Sequence, residues 1–253
     1  MLFTDSAFIG ITPVSGSKSF AYAALDRDLN PIALAEGEMG EVTTYVAGQD
    51  SAVVAVNAPQ GVNRGLVRET LKSKMLTPYQ LSRADLRLAE HELRERGITV
   101  TKTPSSVELC PAWMQAGFGL YRKLGRMGFE KYPEKGSKLQ VLETNSHACY
   151  CVMAGQVPLA RLSLEGRLQR QIILYEHGLD IRDPMDFFEE ITRYKIVKGI
   201  WPIELLYLPE QLDALVAAYV AWLTAHKTDG TFMIGDAKEG MVLLPGRELK
   251  EKY

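Results

Sequence analysis

The sequence predicts a mixed α/β sheet with helices packed on it, in a single domain spanning residues 1–253. Three observations carry this. A short apolar run, Ala7–Ile11, is followed by two further strand-like stretches, which makes a meander. A second continuous apolar run, Ala52–Val56, suits a central strand covered on both faces. From there strands alternate with helical patterns, the order of helices laid on a sheet. No Pro/Gly/Ser-rich linker, repeat or low-complexity segment divides the chain.

The elements follow in order. Ala7–Ile11 ends at Thr12 and Pro13 and reads as a buried strand. Ser19–Leu25 alternates Phe, Tyr and small residues, and Ile32–Glu38 alternates larger residues with alanines; the turn residues 26–31 join them. Glu41–Gln49 is a short helix. Ala52–Val56 stops at Asn57–Gly61, a polar residue followed by a Pro/Gly loop, where α/β sheets place chemistry. Ser82–Arg96 has a cap in Ser82, an apolar stripe and a stop at Gly97, so it is a helix. Pro111–Phe129 is helical with interruptions at Gly117 and Gly119, and Leu139–Glu143 is a strand. Helices are expected from Leu159 to Gly178 and from Pro184 to Lys195. The best helix follows Pro209, a favourable first-turn residue, with Glu210 at the positive end of the dipole. Its alanines at 214, 217, 218 and 221 form a face suited to close packing on a sheet. Thr231–Pro245 is a β-hairpin.

Composition excludes several classes. No apolar run approaches the ~20 residues of a membrane span, so an integral membrane protein is excluded. The formal net charge of −2 argues against avid, sequence-independent nucleic-acid binding, though not against a local basic patch. Three cysteines, Cys110, Cys149 and Cys151, and no signal-like N-terminus point to a reducing, cytoplasmic setting. The sequence contains no HExxH, CxxC, Walker, GxSxG or GxGxxG pattern.

Oxygen side chains that end a buried strand or begin a sheet-packed helix are the places to look for phosphoryl chemistry, because hard divalent ions need convergent oxygens. Four positions answer: Thr12, Asn57, Glu143 and Asp213. Each also has a local explanation. Thr12 can satisfy a backbone group, Asn57 can shape a turn, Glu143 can cap the next segment and Asp213 can favour a helix dipole.

Together they carry a resemblance. FIGIT at Phe8–Thr12, VVAVNAPQG at Val53–Gly61, LQVLETNSHACYCVMAG at Leu139–Gly155, LEGRLQRQIIL at Leu164–Leu174, LDALVAAYVAWLTA at Leu212–Ala225 and IGDAKEGMVLLPG at Ile234–Gly246 lie in order over nearly the whole chain. This layout is similar to that of the prokaryotic family of predicted RNase H-like nucleases, a domain labelled as of unknown function. The resemblance implies an RNase H-like fold, with a mixed five-stranded sheet of three antiparallel and then parallel strands, flanked by helices. It also implies Mg²⁺ or Mn²⁺ held by Glu143 and Asp213, which match acidic positions of the family. Thr12 and Asn57 stand where the family pattern has aspartates, and neither supplies a negative charge.

Around such a site, Arg161, Arg167 and Arg170 are candidates to hold phosphates, with Arg64 and Arg68 across the cleft. An exposed helix face paired with Glu165 and Glu176 would use the first three otherwise. If residues 64–72 are helical, Arg64, Arg68 and Lys72 form one stripe. His147 can act as a proton shuttle or be an ordinary core or surface histidine. Cys149 and Cys151 read as buried small side chains, Asp236 and Glu239 as solvated turn residues, and Trp113, Met114 and Phe118 as core. Two functions are therefore expected to compete. One is a metal-dependent phosphodiesterase acting on nucleic acid. The other is a degenerate protein of the same fold that binds or regulates.

Overall fold

The computed structural model describes residues 6–14, 20–71 and 84–253. Ser82 and Lys72, and with them the expected cap and the end of the basic stripe, lie outside the described residues.

Strands β1 (Ala7–Pro13), β2 (Phe20–Leu25) and β3 (Pro31–Gly37) form the antiparallel meander. Helix α1 (Met39–Ala47) leads to β4 (Ala52–Val56), which pairs parallel with β1, so that Ile11 stands beside Val56. Helices α2 (Leu66–Leu71), α3 (Leu88–Glu95) and α4 (Ala112–Arg126) follow. Then come the two-residue β5 (Glu130–Lys131) and β6 (Leu139–Thr144), which runs parallel to β4. Helices α5 (Ser146–Ala154), α6 (Leu164–Glu176), α7 (Asp186–Glu189), α8 (Arg193–Val197) and α9 (Pro209–His226) precede the hairpin of β7 (Thr231–Asp236) and β8 (Gly240–Pro245).

The main strand order is β3-β2-β1-β4-β6-β8-β7, with β5 beside the start of β6. The expected five-stranded sheet is thus widened to eight strands, and the hairpin belongs to it. Val242 and Leu243 of β8 pair parallel with Glu143 and Thr144. The apolar β8 covers an edge of β6 whose backbone groups would otherwise lack partners.

Packing follows the residue types. Val54, Ala55 and Val56 are fully buried, as a strand covered on both faces requires. Helix α9 lies across β1, and every residue from Leu212 to Thr224 is buried. Its alanines allow the close approach, and Gly10 completes it. A Cβ at Gly10 would stand 2.0 Å from the Ala214 carbonyl oxygen and 2.2 Å from the Ala218 nitrogen. On the other sheet face, α4 packs Leu120 and Leu124 against Ile9, Ile11, Val54 and Val56. Gly117 does not interrupt α4; it lets the helix close on Ala58, whose Cβ would lie 2.7 Å from one at 117.

Other expectations shift at helix ends. The helix read from Ser82 is observed over Leu88–Glu95 among the described residues. The one read from Leu159 begins at Leu164, with Ser163 accepting a hydrogen bond from Gly166 N. Pro184–Lys195 is two short helices rather than one. The first ends at Glu189, and Thr192 caps the second by accepting from Lys195 N. Among the described residues, no helix is long and apolar enough to cross a membrane. Cys110, Cys149 and Cys151 are free, buried thiols.

Candidate functional site

Parallel pairing sets the carboxyl ends of β1, β4 and β6 side by side, which brings Thr12, Asn57 and Glu143 to one edge of the sheet. The first turn of α9 closes over that edge with Glu210 and Asp213. A cleft of about 440 Å³ opens there, lined by Thr12, Asn57, Trp113, Glu143, His147, Arg161, Glu210 and Asp213 among others. The four oxygen-bearing candidates are thus brought to one place.

Their bonds define what each can do. Asn57 Nδ2 donates to Thr12 Oγ1 at 2.8 Å, and Asn57 Oδ1 accepts from Ser146 N at 3.0 Å. Ser146 Oγ donates to the Asp213 carbonyl at 2.9 Å, tying α5 to α9. The cap of α5 is Asn145, whose Oδ1 accepts from Ala148 N. Glu143 is therefore not the cap.

Glu143 is fully buried and engaged on both oxygens. Oε2 accepts from Gln60 N at 2.7 Å and from Arg87 Nη1 at 3.1 Å, while Oε1 accepts from Arg87 Nη2 at 2.5 Å. Arg87 Nε also donates to Glu90 Oε1 at 2.9 Å, and Glu90 accepts from Thr103 Oγ1. Burial opposes the charge of Arg87, but Glu143 and Glu90 outweigh it and hold the guanidinium firmly protonated. Above the pair, a Cβ at Gly240 (φ 105°) would lie 2.6 Å from Glu143 Oε2, so the hairpin turn passes directly over the carboxylate. Arg87 was not distinguished by sequence. Its only local signal is an acid three residues on, at the start of an apolar-periodic helix.

Asp213 is the second buried acid. Arg161 reaches its Oδ2 with Nε at 2.8 Å and Nη2 at 2.7 Å, and the same Nη2 donates to Glu210 Oε1 at 3.1 Å. Burial pushes the Asp213 carboxyl up to about 6, against the pull of Arg161. His147 touches Cys151 with Nε2 at 3.8 Å from Sγ, and burial and then Arg170 push the imidazole down, which keeps it neutral at neutral pH. Burial raises both the Cys149 and the Cys151 thiol to about 12, which leaves them unreactive.

The remaining arginines separate. Of the five, only Arg161 lines the cleft. Arg167 donates from Nε and Nη2 to the carbonyls of Tyr207 and Leu206 at 2.9 and 2.8 Å. Arg170 is buried, donating from Nη1 to the carbonyls of Leu159 and Gly166, with its guanidinium 5.4 Å from the Tyr150 ring centre. These two brace the backbone and do not pair with Glu165 or Glu176 along an exposed face. Arg64 and Arg68 line a different cavity, with Asp85 and Lys102. Glu239, expected to solvate its turn, is buried instead. Its Oε1 accepts from Arg64 N and Leu66 N, and its Oε2 from Leu88 N, so one carboxylate caps α2 and α3 together. Met114 and Phe118 are core, with Trp113 half-buried at the cleft wall.

A two-metal centre needs carboxylate oxygens free to turn toward the ions. Here Glu143 has no oxygen left uncommitted, and Thr12 and Asn57 are neutral and bonded to each other. Among the described residues, no three His, Cys, Asp or Glu side chains gather as a metal cage. The residues present do not fit that centre. Residues 25–238 match the family described as "Protein of unknown function (DUF429)". The chain belongs to this family. No curated protein matches it. In this DUF429 chain the cleft is framed by two ion pairs of different character: Arg87–Glu143, sealed, and Arg161–Asp213, with an arginine side chain 38% exposed.

Proposed function

We propose that the chain is a ligand-binding or regulatory protein on an RNase H-like frame, its cleft receiving a neutral or cationic polar small molecule. The antiparallel β1–β3 followed by parallel β4 and β6 supports the RNase H-like reading. The single observation that carries the functional reading is the complete engagement of Glu143 by Arg87 and Gln60 N. Charge supports it. Among the described residues, the ionic side chains at the cleft are Arg87 and Arg161 against Glu90, Glu143, Glu210 and Asp213, two cations to four acids. A phosphate backbone would meet net repulsion there, whereas hydroxyl, amide or ammonium groups would find partners in Thr12, Asn57, Glu210 and Asp213.

A Mn²⁺ titration followed by calorimetry tests this. The natural chain should give no heat of binding, while Thr12→Asp combined with Asn57→Asp should create a site. Tight Mn²⁺ binding by the natural chain would overturn the reading. A second reading, a metal-dependent phosphodiesterase, draws on Asp213 and Glu210, which share the half-exposed and hence displaceable Arg161. Under it, Mn²⁺ binds the natural chain, and Asp213→Asn abolishes both that binding and cleavage of an oligonucleotide.

A further inference from the structure

Of the sixteen exposed large hydrophobic side chains among the described residues, nine lie within residues 185–208. Tyr194, Ile196, Val197, Ile200, Trp201 and Ile203 are 45–76% exposed. Clusters of this kind, rather than single exposed side chains, mark interaction surfaces.

The segment is rooted at both ends. Gln171 of α6 donates from Nε2 to the Arg182 carbonyl at 3.0 Å, and its Oε1 accepts from Tyr207 N at 3.0 Å. Arg167 holds the carbonyls of Leu206 and Tyr207, and Arg182 Nη1 donates to the Glu204 carbonyl. The apolar surface between these anchors is therefore presented on a fixed base, which lowers the ordering cost of binding.

Charge selects the occupant. Asp186, Glu189 and Glu190 form an acidic pole, which Glu204 joins through the packing of α7 on residues 203–205. Arg193, Lys195 and Lys198 form a basic pole on and after α8. Lys195 Nζ reaches Glu190 Oε2 at 2.6 Å within the chain, so that pair is satisfied internally and the remaining charges of the two poles lie side by side. Adjacent acidic and basic groups beside apolar residues can pair reciprocally about a two-fold axis, where the same patch meets its copy. An anionic membrane or a nucleic acid would be repelled by the acidic pole. Of the segment's 24 residues, all but the buried Phe187, Pro202 and Leu206 are exposed or half-buried, close to the roughly 20–30 that one side of a stable interface contributes.

We propose that residues 185–208 form the contact of a two-fold homodimer, with the basic pole of one copy against the acidic pole of the other. Sedimentation velocity on the full chain tests it. At about 100 μM, a concentration that populates even weak complexes, the chain should be dimeric. Val197→Asp with Trp201→Asp should raise the dissociation constant roughly tenfold or more, as for central interface residues, with an unchanged circular dichroism spectrum. Lys198→Glu and Glu189→Lys chains should each dissociate, and mixing the two should restore the dimer. A natural chain that stays monomeric, a dimer indifferent to Val197→Asp with Trp201→Asp, or a mixture that fails to reassociate would each overturn the proposal. So would a monomer that binds vesicles containing phosphatidylserine or an oligonucleotide through this surface.

Discussion

Arg87 grips both oxygens of Glu143, and both side chains are buried, so a guanidinium from the start of α3 is clamped onto the end of β6. The contact joins residues 56 positions apart and anchors the region around the cleft. Such a pair contributes little net stability compared with a well-packed apolar replacement, but breaking it is costly because one charge is stranded.

Glu143→Gln should therefore destabilise the chain by about 3–5 kcal/mol. Arg87→Met combined with Glu143→Leu and Glu90→Gln, which leaves no charge stranded, should cost less than that single change. Urea unfolding of the three proteins measures both. A Glu143→Gln chain as stable as the natural one would show that the pair is not structural.

Asp213 gives a pH signature. Its folded carboxyl titrates near 6, above the ordinary 3.8, so between those values the folded state holds the proton more tightly than the unfolded state. Stability from this group is greatest below about pH 4 and falls as pH rises through 6, by on the order of 3 kcal/mol. Asp213→Asn removes the titration. The stability of the variant relative to the natural chain should therefore improve between pH 4 and pH 7, as read from urea midpoints. A difference independent of pH would contradict this.

Glu239→Ala should uncap two helices at once. Losing three carboxylate acceptor contacts at helix starts is expected to cost about 2 kcal/mol or more, with amide exchange accelerating at Leu66 and Leu88. Asp236→Ala, in the same turn but half-exposed, should cost distinctly less.

Gly10→Ala should prevent α9 from seating on β1. The added carbon would overlap the Ala214 and Ala218 backbone, which cannot move aside as a side chain can. A loss of about 4 kcal/mol or failure to fold is expected, whereas Gly40→Ala, which meets nothing within 4 Å, should be nearly neutral.

Much of the frame was legible in local order. Ala7–Ile11 and Ala52–Val56 announce buried strands because a strand covered on both faces of the sheet demands an unbroken apolar run, and the Ala face of α9 announces close packing. The joining of β8 to β6 was not legible, since a hairpin has the same alternation whether or not its outer strand finds a third partner. The break between α7 and α8 was masked by continuous helical periodicity; α7 ends at Glu189, and Thr192, extended, caps the start of α8 with its side chain.

By itself, the sequence determined where the strands and long helices lie and that Thr12, Asn57 and Glu143 end strands while Asp213 begins a helix, because periodicity and strand ends are encoded within a few residues. Only the tertiary structure decided which charges meet. Arg87 closing on Glu143, Arg161 on Asp213, Glu239 on two helix starts, and Arg167 and Arg170 on backbone carbonyls are all pairings across the fold. A charged side chain is drawn to whichever opposite group burial leaves it beside, and that neighbour is set by packing, which no local pattern records.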